Sequence, residues 1–255
     1  MSLSAVDLAY GYPERQIGRA ITLALRAGEV LALLGPNGRG KTTLLKTLLG
    51  LLPPQAGGLT LDEKPLAGLT VSERARALGY VPQAHAGTFA FSVFTVVLMG
   101  RTAHGALFAA PSRHDREVAM VMLERLGILE LAERPYTQIS GGERQLVLIA
   151  RALAQEPRYV ILDEPTASLD FGNQGKVMAQ IGRLAAEGLG VLFTTHDPNQ
   201  ALRHADRVMM IREGRMLASG IAKDLLTPAR LMELYGVGIE TVRDGEGRVA
   251  FLPGE

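Results

Sequence analysis

Apolar and polar residues alternate along two early stretches, 3–8 and 21–26. A period of two predicts strands, here of an edge sheet. The run Glu29-Val-Leu-Ala-Leu-Leu34 does not alternate, and Gly35 closes it. It reads as a short strand buried on both faces and ending in a Gly-rich turn. Thr42 to Leu49 is expected to be helical, stopped by Gly50 and by Pro53-Pro54. Residues 78–81 form another short strand before Pro82. From 92 to 155 the period is mainly helical, with loops around Gly105, Pro111 and Pro135. Strand–turn–helix alternation resumes at Tyr159–Leu162, Val191–Thr195 and Val208–Arg212. The pattern predicts an α/β fold with a parallel core. One domain is expected over 1–220, with its core in 1–83 and 157–220 and a helical insert at 84–156. Residues 221–255 form a small appendix, with a hairpin turn expected at Asp244-Gly245.

Composition narrows the function classes. Lys and Arg number 27 and Asp and Glu 26, a net charge of +1 that argues against a dedicated nucleic-acid binder. No cysteine is present, which excludes disulfides, thiolate catalysis and Cys-ligated zinc. The first residues lack a basic start followed by an apolar stretch, so no signal peptide is expected. The most apolar stretch, Thr88 to Met99, has about twelve residues where a spanning helix needs about 20.

Gly35-Pro36-Asn37-Gly38-Arg39-Gly40-Lys41-Thr42 fits G-x-x-x-x-G-K-[ST], after a strand and opening a helix. In that setting glycines let backbone N–H groups turn toward phosphate oxygens, and the helix N-terminus adds positive potential. Lys41 can reach the β- and γ-phosphates, and the Thr42 hydroxyl can ligate Mg²⁺. A second candidate is Asp163-Glu164, at the carboxyl end of a buried strand. One carboxylate there can hold Mg²⁺ through water, and the next can orient the attacking water. Third, Ser140-Gly141-Gly142-Glu143 has capping-box spacing, yet places two glycines in the first turn of a helix. Each costs about 1 kcal/mol against Ala. They leave the backbone N–H groups approachable, a good anion site.

With these segments in hand, the chain resembles the ATP-binding-cassette (ABC) family over nearly its whole length. Gly35 to Thr43 matches the Walker A segment and Gln83 the Q-loop. Ile139-Ser-Gly-Gly-Glu-Arg-Gln145 matches the signature, Tyr159 to Glu164 Walker B, Ala167-Ser-Leu-Asp170 the D-loop, and His196 the switch histidine. The resemblance implies a P-loop (RecA-like) core, a small antiparallel β-subdomain and an inserted α-helical subdomain. It implies ATP and Mg²⁺ as ligands, with Thr42, Gln83 and Asp163 at the metal and Glu164, His196 and Lys41 as catalytic residues. It also implies a head-to-tail homodimer, each ATP lying between Walker A of one copy and Ser140 and Gly142 of the other, with Asp170 communicating across the dimer. A capping role is the alternative for Asp170. Glu143 stands where many relatives have Gln, and either can complete the cap. Tyr12 is the favoured adenine-stacking aromatic, with Tyr10 the close alternative. Of the remaining histidines, His85, His104, His114 and His204 are expected at the surface.

Val97-Leu-Met-Gly-Arg101, Phe108, Pro111-Ser-Arg-His-Asp115, Thr194 to Asn199 and Leu234-Tyr-Gly-Val237 resemble a subset of these ATPases. That subset serves importers of cobalamin, iron chelates, haem and molybdate. The resemblance implies two multi-spanning permease subunits, a substrate-binding protein, and a peripheral place on the cytoplasmic face of the inner membrane. Phe89 and Phe91 are expected to line a groove for a permease helix. Two other readings are a mechanical ABC ATPase of DNA repair or ribosomes, and a nucleotide-binding regulator without turnover. The first usually brings long coiled-coil insertions or paired cassettes, absent here. Intact Glu164 and His196 argue against the second.

Overall fold

In a computed structural model the protein is described over residues 1–83, 91–105 and 110–254. The chain starts with two long strands, β1 (Ser2–Tyr12) and β2 (Arg15–Arg26), followed by β3 (Val30–Leu34) and helix α1 (Lys41–Leu48). Next come β4 (Ala56–Leu61), β5 (Lys64–Pro65), α2 (Val71–Ala77) and β6 (Leu78–Val81). A helical stretch then holds α3 (Val93–Leu98), α4 (Arg113–Arg125) and α5 (Gly141–Leu153). The α/β alternation resumes with β7 (Tyr159–Leu162), α6 (Phe171–Ala186), β8 (Gly190–Thr195), α7 (Pro198–His204) and β9 (Arg207–Arg212). It ends with β10 (Arg215–Ile221), α8 (Ala222–Leu225), α9 (Pro228–Tyr235) and the hairpin β11 (Ile239–Arg243)–β12 (Val249–Pro253).

Among the described residues the strands form three sheets. The central one runs β10-β9-β3-β8-β7-β6, parallel except for β10 at its edge. An antiparallel sheet runs β2-β1-β4-β5, and β11 pairs only with β12. The unbroken apolar run of β3 has a plain cause: both faces of that strand are covered. Val30, Ala32 and Leu34 join one core with the helical region, while Leu31 and Leu33 join the other with α1 and the antiparallel sheet. The same division holds in β7, where Val160 and Leu162 face one way and Tyr159 and Ile161 the other.

Each predicted strand is present, with shifted ends: the alternating stretch at 3–8 belongs to an eleven-residue strand. Strand β4 was not legible, because Gly57 and Gly58 give it little intrinsic preference. Pairing with β1 supplies what the local sequence lacks. The hairpin turn is present, built on Asp244, whose N–H donates to Arg248 O at 3.0 Å. The hairpin packs back onto the protein through Phe251, whose ring lies in the larger core.

For function the strand order matters most. β8 lies between β3 and β7, with Leu34 opposite Thr195 and Leu162 opposite Phe193. The segments leaving these three strands therefore emerge side by side at the carboxyl edge, where parallel sheets form their crevices. Those segments begin with Gly35, Asp163 and His196.

Candidate functional site

The turn after β3 is shaped around Gly40, which caps α1 in the left-handed region at φ 89°. A Cβ there would stand 2.4 Å from Ile17 Cγ2, so only glycine fits. No side chain among the described residues caps the helix, which leaves its first amides to another acceptor. Lys41 lies almost buried beneath the turn. Its ammonium donates to Gly35 O at 2.7 Å, to Pro36 O at 3.1 Å and to Asn37 Oδ1 at 3.3 Å. It also pairs with Glu164 Oε1 at 3.4 Å. Burial pulls the Lys41 pKa down, and the charges of Glu164 and Asp163 act against that.

Asp163 and Glu164 follow β7. One hydroxyl fixes both: Thr194 Oγ1 donates to Asp163 Oδ1 at 2.8 Å and accepts from Glu164 N at 2.7 Å. Thr194 is fully buried in β8, so it positions the acidic pair from within the sheet. Glu164 adopts φ 45°, a left-handed conformation that costs a non-glycine residue about 1 kcal/mol or more. Its other carboxylate oxygen stands 3.8 Å from His196 Nδ1, beyond hydrogen-bond range.

These groups surround a cavity of about 510 Å³. Asn37, Gly38, Gly40, Lys41, Thr42 and Thr43 form one wall; Gln83, Asp163 and Glu164 form the other. A smaller cavity of about 190 Å³ on the far side of Glu164 includes His196. Gly35, Pro36 and Arg39 complete the turn without lining the larger cavity. Thr42, Gln83 and Asp163 offer a hydroxyl, an amide oxygen and a carboxylate, hard oxygen donors of the kind Mg²⁺ takes alongside substrate phosphates. Among the described residues no group of three or more His, Cys, Asp or Glu could hold a metal unaided. Another cavity, about 1020 Å³, lies beside the C-terminal hairpin and is lined by none of these groups.

The tyrosines separate by burial. Tyr10 is fully buried, with no hydrogen-bond partner for its hydroxyl among the described residues and its ring packed against Gly18 and Gly40. Tyr12 is 44% exposed at the end of β1, opposite Arg15, which lines the cavity. Of the two, Tyr12 alone can offer a ring face to a ligand.

Ser140 caps α5. Its hydroxyl accepts from Glu143 N at 3.3 Å, and Glu143 Oε2 accepts from Ser140 N at 2.7 Å. The Ser140 hydroxyl, and then its N–H, hold the Glu143 carboxyl below its ordinary range. Gly142 has a packing reason to be glycine, since a Cβ would fall 2.5 Å from the Asn173 side chain. Asn173 is in turn fixed by Asp170, which caps α6 and accepts from Asn173 N at 2.8 Å and Nδ2 at 2.7 Å. Asp170 thus does the capping work foreseen as its alternative role. Ser140, Gly141, Gly142, Glu143 and Asp170 form a cluster of their own and do not line the Lys41 cavity.

Sequence reasoning missed several supporting groups. Thr194 is one; its signal was only a polar residue inside a buried strand. The Gln200 amide is another, bridging Thr166 at 2.8 Å and Thr195 at 3.1 Å and so tying the segment after Walker B to β8. His104 is half-buried against Gln155 O at 2.9 Å, and burial lowers the His204 pKa, so neither is a plain surface residue.

A second surface feature is a groove of about 530 Å³ beside α2 and β6, with Leu51, Val71 and Met99 exposed along it. Arg151 stands in it, partly buried and with its pKa lowered by burial. Phe91 is 46% exposed, while Phe89, Phe108 and His85 lie outside the described residues. No helix among the described residues is long and apolar enough to cross a membrane.

Comparison with known proteins shows the family of the chain. The family model described as ABC transporter matches residues 19–167. A hemin import ATP-binding protein of Burkholderia lata is 40% identical over 264 residues, covering 96% of this chain and 97% of that one. A molybdate import ATP-binding protein of Haemophilus influenzae is 39% identical over 236 residues, covering 92% and 88%. A solved metal-chelate-type ABC transporter in an inward-facing conformation superposes with TM-score 0.89 at 36% identity, over 100% of this chain and 98% of that one.

Proposed function

The chain belongs to the ABC transporter family, as an ATP-binding subunit that hydrolyses ATP, and from that premise we propose how it does so and for what. Two copies close head to tail over two ATP molecules. Lys41 and the first amides of α1 hold the β- and γ-phosphates of each, and Ser140 and Gly142 of the other copy complete the cradle. Tyr12 stacks on adenine. Thr42, Asp163 and Gln83 hold Mg²⁺, which when bound would neutralise phosphate charge. Glu164 takes a proton from, or orients, water in line with the γ-phosphorus, and His196 donates a hydrogen bond to the γ-phosphate. Such transfer rests on positioning and electrostatics, with no covalent intermediate on the protein. Loss of the γ-phosphate releases the two copies.

One observation carries the reading: Lys41 and Glu164 meet at 3.4 Å at the sheet edge, with Asp163 and Glu164 both fixed by Thr194. The outlying Ser140–Gly142 tip supports the two-chain site, because a helix start that stands apart from its own chain's cavity can serve only a partner's nucleotide. Asp170 lies in the same cluster and would report closure of one copy to the other.

We further propose that the chain powers import through two multi-spanning permeases at the cytoplasmic face of the inner membrane, fed by a substrate-binding protein. The cargo class is a metal chelate, haem or a molybdate-type oxyanion, the cargoes named for the similar importers. A permease helix would lie in the groove of Leu51, Val71 and Met99, and a carboxylate on it would answer Arg151.

The test is ATP-dependent dimerisation of purified protein, followed by light scattering. Ser140→Arg should block dimerisation while leaving monomer folding intact. Normal ATP-dependent dimers of this variant would refute the shared site, and absence of phosphate release by the parent would favour a regulator without turnover.

A further inference from the structure

The backbone leaving β8 carries His196 and turns at once into α7. Three ties hold that turn. Asp197 donates its N–H to Thr195 Oγ1 at 3.0 Å and caps α7 by accepting from Asn199 N at 2.8 Å. Tyr235, the last residue of α9, donates its hydroxyl to the His196 carbonyl at 2.8 Å. Asn199 grips β12 with both ends of its amide: Nδ2 donates to Phe251 O at 3.0 Å, and Oδ1 accepts from Phe251 N at 2.8 Å. Phe251 is anchored in the larger core.

The imidazole is held less firmly than the backbone beneath it. It stands 3.8 Å from Glu164 Oε2, and the side chain is 54% exposed. What holds the residue in place is therefore the backbone of the turn. We infer that Tyr235 is a positioning residue for His196, fixing the carbonyl of the switch turn and so the direction of the imidazole. This rests on the role proposed for His196 at the γ-phosphate. The stretch Leu234-Tyr-Gly-Val237 thereby acquires a task. Leu234 buries the end of α9, Tyr235 makes the bond, and Gly236 ends the helix in the left-handed region at φ 74°. Burial, with the charge of Asp197 adding to it, pushes the Tyr235 pKa well up, so the hydroxyl remains a donor at any working pH.

The experiment is a double-mutant cycle on phosphate release by the full chain, with Tyr235→Phe, His196→Ala and both together. Tyr235→Phe keeps the ring and removes only the bond. We expect kcat to fall about tenfold, since small misplacements near reacting groups cost up to about a hundredfold. KM for ATP should stay within about twofold and the thermal midpoint within about 2 °C. Added to His196→Ala, the change should cost nothing further. An unaltered kcat in Tyr235→Phe, or the same fractional loss in both backgrounds, overturns the inference. A parent that binds ATP without releasing phosphate would instead defeat the proposed function. In that case the imidazole resonances of His196 decide: they should move in Tyr235→Phe, and unmoved resonances overturn the inference on their own.

Discussion

Replacing Glu164 by Gln separates its two duties. The carboxylate stands 3.4 Å from the Lys41 ammonium and is 18% exposed. At that distance the Coulomb attraction is about 5 kcal/mol in an effective dielectric of about 20. Most of it is offset by desolvation and by the mobility of the pair, leaving on the order of 1 kcal/mol. Gln has nearly the same shape and no charge, so Lys41 loses a competitor for the phosphates, and an anionic ligand loses a repelling neighbour. ATP should therefore bind about fivefold more tightly to Glu164→Gln, as 1.4 kcal/mol corresponds to a factor of about ten. Turnover should move the other way. A positioned base contributes roughly 10²- to 10⁴-fold, and an amide cannot take the proton. The assay pairs ATP titration by calorimetry with continuous phosphate release. Turnover within about threefold of the parent would remove Glu164 from its catalytic role. Weaker binding would show that the Lys41–Glu164 pair does not compete with phosphate.

Other residues yield predictions of different kinds. Tyr12→Ala should weaken ATP binding roughly 5- to 150-fold, the loss of about 1–3 kcal/mol of base stacking, and unchanged affinity would overturn the assignment; Tyr10→Phe should raise stability by up to about 1 kcal/mol by deleting a buried hydroxyl with no partner among the described residues. The Glu143 pKa lies below its ordinary 4.5 in the folded chain, so its capping contribution is complete above that pH and is lost as pH falls through the folded value. Glu143→Gln, uncharged throughout, should lose less stability than the parent on acidification below about pH 4.5, and parallel melting curves would contradict this. Arg101 is 5% exposed and holds Asp115 at 2.9 Å, Glu156 at 2.7 Å and Ala154 O at 2.7 Å. Arg101→Met should cost about 2 kcal/mol, because both carboxylates can rehydrate, and lower the thermal midpoint by about 4–8 °C.

The amino-acid sequence made legible the order of the elements, the class of the fold and the turn that opens α1. It could do so because those features are local. A run such as Val30 to Leu34 must be buried on both faces, and the G-x-x-x-x-G-K-[ST] spacing from Gly35 to Thr42 is contained in eight residues. The capping box at Ser140 was legible for the same reason, spanning three residues.

What lay beyond the sequence were relations between distant segments. β4 has weak local preference and exists because β1 pairs with it. The choice between Tyr10 and Tyr12 was open two residues apart, and only packing against Gly18 and Gly40 encloses the first. Thr194 gave no local sign that its hydroxyl would bond the Asp163 carboxylate and the Glu164 N–H, thirty-one and thirty residues away in sequence. Nor did Tyr235 reveal that it reaches back thirty-nine residues to His196. A side chain's type constrains what it can bond to, but its partner is chosen by strand order and helix docking, which are decided by burying apolar surface over the whole chain.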